Sequence, residues 1–323
     1  MNQYANMIRS LKSAEGMQRL MHLYGDRDGM LVEQTGRYTG IIKRHEELFH
    51  ETEKDVLLIS APGRTEIGGN HTDHNRGRVL AAAVNLDTLS AVSARDDMEV
   101  HVYSDGYAPL KLDLTDLSVI EGEKGTTASL IRGVAARMKE LGYKIGGFDA
   151  QVTSTVFKGS GLSSSAAVII AFLSALCRVN NLHLQQSEII EIALAAENKY
   201  VGVSCGKLDQ SCEIYSKKNH LLYLDTLDDS YELISTQPDM KPYKIAIFFS
   251  GVERTLAGSK FNMRVDEARS AAYALKAYAG MAYGKFNETY LRDVPYEIFA
   301  EYKQRLPESF AKRAEHWYTE LQR

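Results

Sequence analysis

Apolar runs separated by polar turns predict several strands in the chain. Residues 56–60 are mostly apolar and end at the turn signal Ala61-Pro62-Gly63, which predicts a short strand. Residues 79–93 form a second apolar stretch and are also predicted to be a strand. Apolar and polar residues alternate over residues 148–156, which is typical of a half-buried strand. Two shorter apolar runs predict further strands, at residues 220–224 and 244–249.

Two helices are predicted between these strands. The longest apolar run, residues 166–177, spans 12 residues, whereas a membrane-spanning helix needs about 20. We therefore predict a buried core helix over residues 163–178 and no membrane segment. A second helix is predicted over residues 187–200, where one stripe carries a carboxylate among apolar residues and is therefore the inward face. The members of that stripe are Ile190, Leu194, Glu197 and Val201.

The length and composition indicate a folded protein with two domains. The chain has 323 residues, of which 44% are hydrophobic and 25% charged, and these values exclude disordered and collagen-like classes. A domain takes roughly 100–200 residues, and a composition change near residues 238–242 suggests the boundary. We predict a helical or loose N-terminal extension over residues 1–54, a first domain over 55–240 and a second, mostly helical one over 241–323.

Charge and cysteine content exclude several function classes. The net charge of −4 gives no electrostatic footprint for binding DNA or RNA. Three unevenly spaced cysteines, Cys177, Cys205 and Cys212, support neither a disulfide framework nor a zinc pair. The N-terminus lacks the apolar region of a signal peptide. We therefore expect a cytoplasmic location, with no nucleic acid and no membrane as partner.

A glycine- and serine-rich loop is the first candidate for chemistry. It comes after the predicted strand at 148–156 and opens the helix at 163–178, so its free amides and the positive end of the helix favour an anion such as phosphate. It is neither a Rossmann fingerprint nor a Walker A loop. The alternative is a serine-capped turn at the start of a helix. The loop residues are Gly159, Ser160, Gly161, Leu162, Ser163, Ser164 and Ser165.

A dense polar segment, residues 63–75, is the second candidate. Its Asn, His, Thr and Asp side chains supply both donors and acceptors, which suits a hydroxyl-rich ligand such as a sugar. One alternative is a metal site at His71, Asp73 and His74, although the first histidine of the corresponding hydrolase pattern would stand at Gly69. The other alternative is a structural turn whose polar side chains satisfy one another.

The carboxylates Glu197 and Asp209 are the third candidate. Glu197 lies on an apolar helix face, where a carboxylate must be paired or must bind a metal ion. Asp209 comes after a loop of small residues that includes Gly206 and would let backbone approach a substrate closely. The alternatives are a buried ion pair for Glu197 and a helix N-cap for Asp209.

Together, these segments resemble the galactokinase branch of the GHMP small-molecule kinases. Three segments occur in the family's order and spacing, over residues 55–265: SAPGR…GGNHTDHNRGRVLAAA, KGSGLSSSAAV and AAEN…CGKLDQ. The resemblance implies an α+β fold with two domains. The first would be a ribosomal-protein-S5-like N-terminal domain and the second an incomplete ferredoxin-like C-terminal domain.

The resemblance also implies roles for individual residues. The loop 159–165 would cradle the phosphates of ATP, and Ser165 and Glu197 would hold Mg²⁺. Asp209 would be the base that takes the proton of the sugar C1 hydroxyl, with Arg64 beside it. The sugar would be contacted by Asn70, His71, Asp73, Gly206 and Phe261. The implied activity is ATP-dependent phosphorylation of galactose to galactose 1-phosphate.

The chain departs from the family at several positions. Asn70 stands where the family has Glu, His74 and Phe261 stand where it has Tyr, and Phe157-Lys158 replaces a proline. Two alternatives therefore stay open, a kinase for another hexose-type substrate such as galacturonate and a non-enzymatic sugar sensor. The family's third glycine-rich motif, near its C-terminus, is not found in the sequence. We therefore expect the chain alone to be poorly active, and either to be prone to aggregation or to depend on a C-terminal segment supplied in trans.

Overall fold

A computed structural model describes residues 2–51, 53–236 and 260–323, together with residues 241, 245, 246 and 248. The chain divides into two compact units. The first comprises Met1–Arg64 and Ala83–Val201, and the second comprises Thr65–Ala82 and Gly202–Arg323. Two long strands, β1 (Val56–Gly68) and β2 (Arg78–Ala94), contribute residues to both units.

The N-terminal extension consists of three helices in the first unit. They are α1 (Gln3–Leu11), α2 (Ala14–Tyr24) and α3 (Met30–Phe49). Asn2 and Ser13 cap the first two helices through their side chains, as expected for these residue types. The helices bury an apolar cluster against β2, with members that include Tyr4, Leu20, Met30, Ile42, Leu89 and Ala91.

The sheet of the first unit is mixed. Strand β5 (Phe148–Ser154) pairs antiparallel with β2, with Thr88 opposite Ser154. On its other side β5 pairs parallel with β3 (Glu99–Ser104), and β3 pairs antiparallel with β4 (Leu110–Asp113). Strand β1 also pairs with β2.

Three further helices complete the first unit. They are α4 (Thr127–Glu140), α5 (Ser164–Val179) and α6 (Gln186–Ala196). Helix α4 packs against α5 and α6. In the core of this unit, the rings of Phe148 on β5 and Phe172 on α5 lie 5.9 Å apart. A π-helical turn, Glu197–Val201, continues directly from α6.

The second unit combines a short hairpin with helices. Strand β6 (His220–Asp225) pairs with the first residues of β2 and with β7 (Ser230–Ser235), antiparallel in both cases. Its described residues form the helices α7 (Leu208–Tyr215), α8 (Phe261–Tyr278), α9 (Tyr296–Tyr302) and α10 (Glu308–Gln322). Helices α8, α9 and α10 share an apolar cluster that includes Ala272, Leu275, Phe299, Trp317 and Tyr318.

The α+β class is confirmed, with three differences of detail. The strand predicted at 56–60 does not end at Ala61-Pro62-Gly63 but continues to Gly68. The strand predicted at 148–156 is buried on both faces rather than one, because α3 and α5 both pack against β5 and cover Asp149 and Gln151. The helix predicted over 187–200 ends at Ala196, where the π-helical turn begins. Most of the strand predicted at 244–249, and of the domain boundary predicted at 238–242, lies outside the described residues.

Within the described ranges, each helix is too short or too polar to cross a bilayer.

Candidate functional site

The candidate phosphate-binding loop, residues 159–165, has the backbone that its glycines predict. Gly159 and Gly161 have φ values of 75° and 78°, in the left-handed region that favours glycine. Ser163 also has a positive φ of 61°, and α5 begins at the next residue. Its hydroxyl is buried without a hydrogen-bond partner among the described residues. A buried hydroxyl of this kind at a helix N-terminus is suited to an anionic ligand.

Strand β1 supports this loop from behind. The Arg64 amide donates to the carbonyl of Leu162 at 3.1 Å, and its guanidinium donates to the carbonyl of Gly161 at 2.5 Å. A side chain at Gly63 would place its Cβ 2.7 Å from the oxygen of Leu162, so only glycine fits. Arg64 is itself buried. The arginine predicted to act near the sugar thus supports the loop of residues 159–165.

Ser165 and Glu197 are brought together, as the sequence predicts. The Ser165 hydroxyl donates to Glu197 Oε1 at 3.0 Å, and Glu197 is only 4% exposed. Glu197 is the first residue of the π-helical turn, and π-helical turns are frequent at functional sites. A hydroxyl and a carboxylate are the oxygen ligands that Mg²⁺ prefers, and that ion usually completes its shell with water and phosphate oxygens. The donor set therefore fits Mg²⁺.

The polar segment in the second unit has an unusual backbone. Gly69, Asn70 and His71 are consecutive residues with φ values of 103°, 44° and 57°, and such conformations are costly for residues other than glycine. Glu66 stabilises this turn, since its carboxylate accepts a hydrogen bond from the His71 amide at 2.8 Å. The Asn70 side chain is exposed, and the backbone carbonyl oxygen of Asn70 lies 3.2 Å from His316 Nε2.

Asp73 connects the polar segment to α7. Its buried carboxylate accepts a hydrogen bond from the Leu208 amide at 3.0 Å, and its carbonyl accepts one from the Thr226 hydroxyl at 3.3 Å. Gly206 lies directly against Asp73, where an added Cβ would meet the carboxylate. Asp73 and Gly206, which the sequence resemblance places beside the sugar, are therefore neighbours in the structure.

Asp209 is the second residue of α7 and is half-buried. The N-cap of this helix is Lys207, so the alternative interpretation of Asp209 as an N-cap is wrong. Its neighbour Leu208 donates its amide to Asp73, which places Asp209 one residue from that contact. Arg64 and Asp209 belong to different units, and their predicted proximity stays a prediction.

An aromatic group lies beside the polar segment. The Phe261 ring, at the start of α8, packs edge-on against His71 and His74 at centroid distances of 6.4 and 5.9 Å. The pKa of His74 is lowered to about 4, chiefly by burial; the Asp73 carboxylate opposes this shift and Arg269 contributes to it. His74 is therefore neutral near pH 7. It can accept a hydrogen bond on one ring nitrogen and donate one from the other.

The alternative metal site is not supported. In the part of the chain that the structure describes, no group of three His, Cys, Asp or Glu side chains is placed to hold a metal ion. Asp73 instead accepts the Leu208 amide, and His71 and His74 pack on Phe261.

Two residues that support the site were not predicted from the sequence. Glu66 holds the turn at His71. Asn262 is the other, since its side chain accepts from the Ser204 amide at 2.9 Å and donates to the Gly202 carbonyl at 2.8 Å. It thereby fixes the small-residue loop that precedes α7. The sequence signal for Asn262 is its polar side chain next to Phe261, and such a signal is too common to be diagnostic.

The sequence motifs match known family models. The GHMP kinases N-terminal domain matches residues 129–217, which include the candidate phosphate-binding loop, Glu197 and Asp209. The galactokinase galactose-binding signature matches residues 43–94, which include Arg64, Asn70 and Asp73.

Known proteins of similar sequence and fold agree with these matches. A galactokinase from Roseiflexus sp. (strain RS-1) is 33% identical over 269 residues, which cover 83% of this chain and 66% of that protein. The crystal structure of Lactococcus lactis galactokinase complexed with galactose matches with a TM-score of 0.75 at 25% identity, over 88% of this chain and 72% of that one. Methanococcus jannaschii mevalonate kinase shares the fold alone, with a TM-score of 0.50 at 16% identity over 82% and 79% of the chains.

These findings place the chain in the class of GHMP kinases. Within that class, the galactose-binding signature and both galactokinase matches identify it as a relative of the galactokinases. The resemblance seen in the sequence is thereby confirmed. The chain spans 66% of the length of the Roseiflexus galactokinase.

Proposed function

We propose that the protein is a galactokinase, which transfers the γ-phosphoryl group of ATP to O1 of galactose. The observation that carries this proposal is the hydrogen bond from the Leu208 amide to the Asp73 carboxylate. It fixes the candidate sugar ligand Asp73 next to the helix turn that holds the candidate base Asp209. The similarity to a galactokinase that was crystallised with galactose supports the choice of sugar.

The sugar would be held by residues of the second unit. A carboxylate offers about four acceptor positions, and the Leu208 amide uses one of those of Asp73, which leaves capacity for sugar hydroxyls. Gly206 permits close approach because it has no side chain. A sugar ring is suited by a surface that combines apolar and polar groups. Such a surface is formed by the apolar ring of Phe261 and the polar rings of His71 and His74.

The nucleotide would be held by residues of the first unit. Backbone amides of residues 159–165 and the N-terminus of α5 would bind phosphate oxygens. Ser165 and Glu197 would hold Mg²⁺, which when bound neutralises charge on the β- and γ-phosphates. Arg64 is a buried cation that supports the same loop.

In the proposed reaction, Asp209 accepts the proton of the C1 hydroxyl while O1 attacks the γ-phosphorus. A bond forms between O1 and phosphorus, and the bond from phosphorus to the β–γ bridging oxygen breaks. The products are galactose 1-phosphate and ADP, and the proton remains on Asp209 until solvent removes it. Phosphoryl transfer depends on positioning and charge stabilisation more than on covalent help, which agrees with this set of residues.

The test is a coupled assay of ATP turnover with galactose, galacturonate and no sugar, on the wild type and on Asp209→Asn. The substitution keeps the shape of the side chain and removes its charge. We expect turnover to fall by about 10²-fold or more, the usual range for loss of a general base, with sugar binding little changed. Asp228→Asn, an exposed change in the same unit, is the control.

Two outcomes of this assay would contradict the proposal. A folded Asp209→Asn protein with turnover near that of the wild type would exclude Asp209 as the base. A wild type that binds galactose but neither hydrolyses ATP nor transfers its γ-phosphoryl group would favour the sugar sensor, because binding alone needs no base.

A kinase for galacturonate is the second candidate, and one observation favours it. Asn70 presents an exposed, neutral amide where the galactokinases have a carboxylate beside the sugar C6 position. In the family, that carboxylate would repel a substrate with a carboxylate at C6, whereas the neutral amide of Asn70 would not repel it.

A further inference from the structure

A buried polar group in the first unit links the N-terminal helices to the start of the phosphate-binding loop. We define it as the Asp87 junction, which consists of Tyr24, Arg37, Ser60, Asp87 and Thr155. Asp87 lies on β2 and is only 2% exposed. A buried carboxylate is costly unless it is paired and hydrogen-bonded. This one is bonded by side chains from three segments of the chain, and a fourth segment bonds the backbone of Asp87.

The N-terminal helices supply two of these partners. The Tyr24 hydroxyl, at the end of α2, donates to Asp87 Oδ2 at 2.6 Å, and it lies 2.9 Å from the hydroxyl of Tyr38 on α3. Arg37, also on α3, forms a buried ion pair with Asp87 and donates to its carbonyl at 3.2 Å. Burial and the adjacent Asp87 carboxylate raise the pKa of Tyr24, so its hydroxyl remains a donor.

The other partners lead to the phosphate-binding loop. The Ser60 hydroxyl of β1 donates to Asp87 Oδ2, and β1 reaches the loop four residues later through Arg64. Thr155 comes directly after β5, and its amide donates to the Asp87 carbonyl at 2.9 Å while its hydroxyl accepts from the Asp87 amide at 3.0 Å. The chain then runs from Thr155 into the loop.

Apolar packing continues the same connection. Val156, Leu162 and Ala167 form a buried cluster beneath the loop, and Leu86 packs against it. Leu86 is the neighbour of Asp87 on β2, so a shift of Asp87 would also move a residue that contacts the loop's own core.

We propose that Asp87 is a positioning residue for the nucleotide, through which the N-terminal helices fix the geometry of the phosphate-binding loop. The proposal rests on the proposed function, because it takes residues 159–165 to bind the phosphates of ATP. Supporting residues of this kind act by holding binding groups in place, and their loss weakens a site without removing any group that touches the ligand.

The test compares two variants of the junction with a matched control. Asp87→Asn keeps the shape and removes the charge that pairs with Arg37, and Tyr24→Phe removes one hydroxyl. The control is Ser93→Ala, which removes the 3.3 Å contact from Ser93 to His45. That contact joins the same helix α3 to the same strand β2, about 20 Å further along at about 3.3 Å per residue.

Three quantities are measured for each full-length variant: the dissociation constant of MgATP, amide hydrogen exchange of residues 156–165, and the melting temperature. We expect Asp87→Asn and Tyr24→Phe to raise the dissociation constant roughly 10-fold, the lower end of the range for loss of supporting groups, and to speed exchange in the loop. Ser93→Ala should lower the melting temperature alone.

The proposal is overturned if the junction variants lose stability but bind MgATP and exchange like the wild type, or if all three variants show the same losses. If Asp87→Asn does not fold, the measurements on Tyr24→Phe alone decide whether the proposal stands. A wild type that binds MgATP but phosphorylates no sugar would contradict the proposed function and leave this test intact. Loop exchange needs no ligand, so it tests the junction even if MgATP does not bind.

Discussion

At the scale of single residues, the pair formed by Ser165 and Glu197 can be tested as a metal site against a structural one. A carboxylate that is 4% exposed and accepts a hydroxyl at 3.0 Å could serve either purpose. The two roles respond differently to loss of the carboxylate charge, since Mg²⁺ needs a charged oxygen and a hydrogen-bonded core does not.

We predict that Glu197→Gln weakens the binding of Mg²⁺ at the ATP site. The Mg²⁺ concentration for half-maximal turnover should rise by about 10–100-fold, while the affinity for sugar stays within about twofold of the wild type. Titration of Mg²⁺ at fixed ATP measures the effect, and Glu191→Gln, exposed on α6, is the control. A lower melting temperature with an unchanged Mg²⁺ titration would show that Glu197 is structural.

Asn70 is the residue that most directly affects the choice of sugar. We predict that Asn70→Glu lowers kcat/KM for galacturonate relative to galactose by about 5–150-fold, which corresponds to a repulsion of roughly 1–3 kcal/mol. Asn70→Gln is the matched control, because it has the same length as Glu and the same cost at a φ of 44° but no charge. If the wild type strongly prefers galactose and Asn70→Glu does not alter that preference, position 70 is not the selector.

At the scale of elements, the contact of the polar segment with α7 depends on a glycine. An added Cβ at Gly206 would lie 2.6 Å from the backbone carbon of Asp73, whereas one at Gly68 in β1 would be 3.8 Å from Leu80. The first contact cannot be relieved by rotating a side chain, because backbone is involved. The second is ordinary van der Waals contact.

We therefore predict that Gly206→Ala displaces Asp73 and weakens sugar binding, whereas Gly68→Ala does not. Overpacking costs roughly 1–3 kcal/mol, so the dissociation constant for galactose should rise by about 5–150-fold. Calorimetry with galactose, and with MgATP as the second ligand, measures both effects. Equal losses for the two ligands, or equal losses for the two variants, would contradict a local role for Gly206.

At the scale of the whole molecule, a buried histidine makes the stability sensitive to acid. His45 is fully buried between the Tyr4 and Ser93 hydroxyls, at 3.1 and 3.3 Å. Burial lowers the pKa of His45 from 6.5 to about 4. Between these two pH values the unfolded chain binds a proton that the folded chain does not, so stability rises with pH in this range.

We predict that this contribution is complete above pH 6.5 and is lost as the pH falls toward 4. The loss amounts to about 3 kcal/mol for a shift of this size. Urea unfolding of the wild type and of His45→Gln at pH 7, 5.5 and 4 measures it, and the wild type should lose about that much more than the variant. Parallel curves for the two proteins would show that His45 does not titrate on unfolding.

The sequence by itself determined the position and type of several elements and the order of the chemical motifs. The strand Arg78–Ala94 and the helix Ser164–Val179 follow from local apolar patterns and a glycine turn, whereas the apolar run at residues 56–60 located only the first part of the strand Val56–Gly68. The inward carboxylate at Glu197 results from helical periodicity. These properties depend on neighbours within a few positions along the chain, and a pattern records such neighbours directly.

Only the tertiary structure decided which distant residues meet. Three contacting pairs are separated by 32 to 135 residues along the chain: Asp73 with Leu208, Ser165 with Glu197, and Tyr24 with Asp87. The burial of both faces of Phe148–Ser154 was likewise decided by helices from other parts of the chain. Such contacts are set by packing and by the need to pair buried polar groups, and no local spacing encodes them.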